Sequence, residues 1–304
     1  MGEVDSTGKE EEEEKLISLG GCLTRFLCFV CFFGVLFGGA PIVDIKTFGE
    51  LPTLLSSQNP SRTVVFLDLD DLVLLPTSSV GRLKWLHIMK ALLLEHGVVS
   101  QVVDQVRFAV WEYALLHTSF SLARQESKDV LKQLQMRGLP ILGVSRRSFA
   151  SSCYLPLQLR KLGIDLFSSL PPFLRLSLFL SSREPCALLT QGILFMGSLP
   201  LEMAFNKLIE NVSLPLLSVV CISSDKSFLE ESFSFFNAKK AKGIYAFLSL
   251  EEEFFEAEDA KFQLLSIRSV LEDHLVHQFR DPSSTFSDRE VVRKIRDIWE
   301  MCSG

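Results

Sequence analysis

The sequence predicts an α/β protein: a mostly parallel sheet flanked by helices. Two observations carry this. Short apolar runs, bounded by Gly, Pro and Ser, alternate with segments of helical periodicity from residue 62 to residue 248. The first run, Val64 to Leu67, ends in three carboxylates within four residues, Asp68, Asp70 and Asp71. Acids closing a core strand need partners, because an unpaired buried carboxylate is costly. The ends of parallel strands are also where open α/β sheets bind ligands.

The elements follow in order. Pro60 and Ser61 lead into the strand that ends at Asp68, and a second apolar run follows Asp71. Residues 80–117 predict two helices. Leu83, Leu86, Ile88, Leu92 and Leu93 face one way before Gly97; Val102, Val103, Val106, Val110, Trp111 and Ala114 form the second face. Val130, Leu131 and Leu134 mark a third helix, closed by Gly138. Residues 139–144 form a buried strand ending at Ser145; a proline at its start is tolerated. A helix over 157–162 stops at Gly163, and residues 168–191 show no period. A short strand at 192–197, a helix at 201–209 and a strand at 216–222 come next, the last ending in Ser223, Ser224 and Asp225. A helix at 228–238 and a strand at 243–248 complete the alternation. Right-handed crossovers then make the sheet parallel. Amphipathic helices are expected from about Glu251 onward, with Phe254, Phe255, Leu264, Leu265, Val270 and Leu275, and a last one over 291–301.

Residues 1–25 form an acidic tail and a short approach to an apolar segment. Residues 1–15 hold seven acids and two bases, a net of −5; with −6 for the whole chain, the difference leaves −1 for the rest. A near-neutral body excludes the electrostatic footprint of a nucleic-acid binder. The aromatics are 25 Phe against three Trp and three Tyr, which favours core filling over stacking on bases or sugars. Residues 26–43 carry no charge and follow Arg25, at the lower edge of a membrane-spanning length. Gly38 and Ala40 resemble a signal-cleavage site, whereas Pro41 hinders cleavage, so a signal peptide and an uncleaved signal anchor both fit. Arg25 would hold the N-terminus in the cytoplasm and send residues 44–304 across. A buried core helix is the competing reading, but the run lacks polar periodicity. Of the seven cysteines, Cys22, Cys28 and Cys31 lie in the N-terminal apolar region; the other four, Cys153, Cys186, Cys221 and Cys302, show no Cys-x-x-Cys spacing, and the sequence does not pair them.

The spacing of Asp68 and Asp70 resembles the first motif of the haloacid-dehalogenase-like (HAD) superfamily, which has a Rossmann-like core. In that family the first Asp attacks phosphorus, the second moves protons, and magnesium sits between them. The resemblance implies Asp68 as nucleophile and Asp70 as general acid and base. Ser145 stands where a second motif places a phosphate-binding hydroxyl, followed by Arg146 and Arg147, whose guanidinium groups suit phosphate. Taken alone, Ser145 is better explained as a helix cap or turn residue; the order of the elements around it favours the phosphate-binding place. The third motif, a Lys near a helix start, has no counterpart between Gly197 and Met203, and Lys207 comes one to two turns late. At the fourth, Ser223 and Ser224 occupy the acid positions and Asp225 follows one residue later. The metal set implied is therefore Asp68, Asp70 and Asp225, with two serines where magnesium prefers carboxylates. Leu72 also departs from the usual Thr or Val.

A narrower resemblance rests on residues 44–50, Trp85, residues 133–147, 159–165 and 192–195. These are similar to an uncharacterised HAD-like family of intracellular bacteria, often found behind an export signal. It implies a domain over 44–304 with a helical cap inserted at about 77–120, where HAD proteins set substrate choice. Two functions are expected. One is an exported or membrane-anchored, magnesium-dependent phosphomonoester hydrolase working through an aspartyl-phosphate on Asp68. The alternative is a catalytically degenerate binding or interaction protein. The implied partners are a small phosphorylated substrate, if active, and the bacterial inner membrane through residues 26–43, with the domain periplasmic or secreted. The histidines His87, His96, His117, His274 and His277 form no zinc pattern, and no P-loop or nucleophile elbow is present.

Overall fold

The structure, a computed structural model, describes residues 42–77, 81–95, 118–180, 187–212 and 218–249, with Leu214 and scattered positions between 103 and 116. The acidic tail, most of the apolar segment 26–43 and the helices expected beyond residue 250 lie outside the described residues.

The strands are β1 (Ile42–Ile45), β2 (Thr63–Asp68), β3 (Leu74–Pro76), β4 (Phe120–Leu122), β5 (Ile141–Ser145), β6 (Leu178–Phe179), β7 (Leu188–Thr190), β8 (Ile193–Phe195), β9 (Ser218–Ser223) and β10 (Lys242–Leu248). The helices are α1 (Leu51–Leu54), α2 (Leu83–Glu95), α3 (Ser127–Met136), α4 (Leu155–Lys161), α5 (Leu201–Asn211) and α6 (Lys226–Ala238). One eight-stranded sheet runs β1-β10-β9-β2-β5-β8-β7-β6, and β3 and β4 form a separate antiparallel pair. The six strands from β1 to β8 in that order are parallel, while β7 and β6 turn back antiparallel at one edge.

Alternation along β2 divides the core. Val65 and Leu67 pack with Leu51, Val130, Leu131, Leu134 and Leu159, that is, with α1, α3 and α4. Val64 and Phe66 pack with Phe205 of α5 and with Phe228, Phe235 and Phe236 of α6. The phenylalanines meet in a cluster: Phe205 lies 4.9 Å from Phe66 and 5.0 Å from Phe236, ring centre to ring centre. Phenylalanine thus serves as core filling, as its abundance suggested. All six residues of β2 are buried, as befits a central strand covered on both faces.

Three features differ from expectation. The strand β1 includes Ile42 and Val43, so the end of the apolar segment belongs to the sheet. β5 begins at Ile141, because Pro140 has no N–H to give; its carbonyl instead accepts from Val65. Between 168 and 191 two strands, β6 and β7, form antiparallel partners of two and three residues, too short to show a period. Of the helical insert, α2 is described, and Val103, Trp111 and Ala114 are helical and buried. Trp111 Nε1 donates to Gly81 O at 2.7 Å, tying the second helical stretch to the start of the first. Among the described residues, no helix is long and apolar enough to cross a membrane.

Candidate functional site

The C-terminal ends of β2, β5 and β9 are adjacent, which brings Asp68, Ser145 and Ser223 together. The chain leaves β2 through a tight loop. Leu69 O accepts from Leu74 N at 3.0 Å, and Asp71 N donates to Leu74 O at 3.1 Å. Asp71 adopts a left-handed φ of 61°, a conformation Asp tolerates better than most residues. The turn points its carboxylate at the insert: Leu83 N donates to Asp71 Oδ2 at 2.6 Å. Asp71 therefore supplies an acceptor to the first turn of α2, twelve residues away in sequence. Burial raises its pKa to about 7, opposed by the Leu83 N–H.

Both oxygens of Asp70 are engaged. Its Oδ2 accepts from Ser145 Oγ at 2.8 Å and from Arg146 N at 3.0 Å, and its Oδ1 accepts from Arg147 Nε at 2.9 Å. The Arg147 and Asp70 side chains are 1% and 2% exposed. Arg147 also lies over the Phe120 ring of β4, 4.8 Å from its centre. The cation beside the acids is thus a guanidinium of the same chain.

Asp68 is 4% exposed. Burial, and next the charge of Asp70, raise its pKa to about 8, against the lowering effect of the Ser223 hydroxyl. Ser223 Oγ accepts from Asp225 N at 2.9 Å and donates to Asp68 Oδ2 at 2.6 Å. The raised pKa favours the protonated form of Asp68, which eases the like-charge conflict with Asp70.

Asp225 caps α6. Its Oδ1 accepts from Ser227 N at 2.9 Å and Ser227 Oγ at 2.7 Å, and its Oδ2 accepts from Arg146 Nη2 at 3.0 Å. Arg146 and Arg147, neighbours in sequence, therefore separate: Arg147 turns inward, while Arg146, 27% exposed, bridges to Asp225. His87 of α2 feels the charges of Asp225 and Arg146; burial lowers its pKa. Among the described residues, no group of three His, Cys, Asp or Glu side chains is placed to hold a metal ion. Lys207 sits on the surface of α5, with Nζ 3.2 Å from Glu210 Oε2. Ser224 forms the bend between β9 and α6.

Glu112 escaped the sequence analysis. It comes from the second helical stretch of the insert and accepts from both Ser148 N and Ser148 Oγ, joining the insert to the turn after β5. Burial raises its pKa, opposed first by the Ser148 N–H. Nothing in the local sequence marks it, since an acid amid apolar helical positions reads as a solvated one.

No curated protein and no solved structure shows a significant match to the chain. A family model, described as protein of unknown function (DUF2608), matches residues 44–238, which run from within β1 to the end of α6 and hold every residue of the cluster; the chain belongs to that family.

Proposed function

We propose that this is a binding or interaction protein on an HAD-like fold, whose acidic pair is held neutral by the protein itself. The buried ion pair of Arg147 with Asp70 carries this reading. Catalysis through Asp68 needs an ionised carboxylate as nucleophile and a free partner to move protons. Asp68 Oδ2 already accepts from the Ser223 hydroxyl, and both Asp70 oxygens accept hydrogen bonds from protein donors. The donors present do not suit magnesium, which takes hard oxygen ligands in a near-octahedral shell. Asp225 is committed to Ser227 and Arg146, and the Ser223 hydroxyl is spent on Asp68. Export or anchoring through the uncharged run ahead of β1, residues 26–41, belongs to the same proposal and rests on that composition alone.

The position of Asp68 at the end of β2, beside Ser145 and Ser223, favours the second reading, a phosphomonoester hydrolase. Two measurements separate them. Calorimetric titration of the full chain with magnesium should show no saturable binding in the micromolar range. Hydrolysis of p-nitrophenyl phosphate, with magnesium, should not exceed that of Asp68→Asn. Micromolar magnesium affinity lost in Asp70→Ala, or hydrolysis lost in Asp68→Asn, would establish the hydrolase and overturn the binding reading.

A further inference from the structure

The helices α5 and α6 cover the Val64 and Phe66 face of the sheet, and a groove of about 690 Å³ lies between them. Phe205 of α5 and Phe235 of α6 meet with ring centres 5.6 Å apart, and Phe235 and Ala238 give the groove an apolar strip. Glu202 of α5 and Glu230 and Glu231 of α6 line it; all three are exposed, and among the described residues no ion pair engages them. The one base in the lining is Lys239, whose Nζ lies 5.6 Å from the Phe235 ring centre. A cleft lined mainly by one sign of charge concentrates the opposite sign. The occupant that fits is a helix apolar on one side and basic on the other.

The same chain contains such a segment. Residues 250–304, outside the described residues, carry seven Lys and Arg, and four of these fall together: Arg289, Arg293, Lys294 and Arg296. Helical spacing puts Arg293 and Arg296 on one side of the helix expected over 291–301, and Val291, Ile295, Ile298 and Trp299 on the other. The link is long enough. The end of β10 lies beside the first turn of α6, where Lys226 Nζ is 4.8 Å from the Phe247 ring centre. The 13 residues of α6 span roughly 20 Å. At about 3.3 Å per extended residue, residues 249–288 cover that distance several times over. We propose that residues 289–301 dock in this groove, with their apolar side on Phe235 and Ala238 and their guanidinium groups among the three glutamates. A tethered segment meets the groove at high effective concentration, so exposed pairs of modest strength suffice. The docking does not depend on how the acidic cluster is read.

Trp299 reports it. Trp85 and Trp111 are fully buried, so acrylamide quenching of the full chain's tryptophan emission, with Trp299→Phe as the blank, follows Trp299. The wild type should shield it. Glu230→Lys with Glu231→Lys, at exposed positions that leave the core intact, should raise the quenchable fraction about fivefold, the worth of two exposed ion pairs. Arg293→Glu with Arg296→Glu should do the same, and the four substitutions together should restore shielding. Carbodiimide coupling should join Lys294 to Glu202, Glu230 or Glu231 within one chain. Equal quenching of Trp299 in the wild type and both reversed variants overturns the proposal. So does a Lys294 cross-link found only between two copies, or an exposed Trp299 in the fourfold variant.

Discussion

Replacing Arg147 by Met tests the internal counter-ion directly. Methionine keeps the apolar stem and a thioether that packs against Phe120, so packing changes little. What is lost is the charge and the 2.9 Å bond to Asp70 Oδ1, in a pair 1% and 2% exposed. Asp70 then keeps Ser145 Oγ and Arg146 N but has no cation against it. Removing one member of a buried pair costs about 3–5 kcal/mol, because the other charge stays buried. At about 2–4 °C per kcal/mol for a domain of this size, the midpoint should fall by roughly 6–20 °C. The companion is the double variant Arg147→Met, Asp70→Asn. Asparagine retains an oxygen for Ser145 and Arg146 N while carrying no charge. It should recover about 2–3 kcal/mol relative to the single variant in urea denaturation, the coupling expected of contacting residues. If Arg147→Met costs under about 1 kcal/mol, as an exposed pair would, the argument fails. It fails equally if the two losses simply add.

Three further outcomes follow from the same geometry. Unfolded Asp68 releases its proton near pH 4 and folded Asp68 near pH 8, so this group lowers stability as pH rises through that window. Asp68→Asn, which cannot ionise, should gain on the wild type as pH increases from about 4 to about 8, by an amount on the order of a few kcal/mol; parallel denaturation curves would refute the shift. Asp71→Ala removes the acceptor for Leu83 N and places a non-glycine, non-Asp residue at φ 61°; a loss of about 1–3 kcal/mol and faster amide exchange at the start of α2 are expected. Phe205→Ala opens a cavity among Phe66, Phe235 and Phe236 and should cost about 3–5 kcal/mol by denaturation, with the sheet's circular dichroism retained.

The central strands and their covering helices were legible because each buried run or face is long enough to show its period. β2, β9 and β10 emerge within two residues of their expected bounds. β3 and β4 were not legible: three residues each, paired across more than forty positions, leave no local signature. β1 was hidden because Ile42 and Val43 continue an apolar run, and a strand and a membrane segment share that composition. In the cluster, Asp68, Asp70 and Ser145 stood out because polar groups at core-strand ends are conspicuous. The roles of the two arginines did not, since adjacent identical side chains differ only in which way the backbone turns them. Asp225 could have been recognised as a cap, because an Asp directly before a helical run is a start signal. Glu112 required the tertiary fold.

The pairing of β1 with β10 has a consequence for how the chain is made. Ile42 to Ile45 take their places beside Tyr245 to Leu248, about two hundred residues downstream. At roughly 5–20 residues per second, a ribosome needs about 10–40 s to synthesise that partner after the first strand is complete. Until then the segment directly after residues 26–41 has no neighbour in the sheet, and its backbone groups remain available to other proteins. Such sequence-distant pairing also belongs to slow-folding topologies. A chain stopped at the end of α6 would lack both the central-side partner of β1 and the strand that pairs one edge of β9, so the sheet is finished only when nearly the last described residue has emerged.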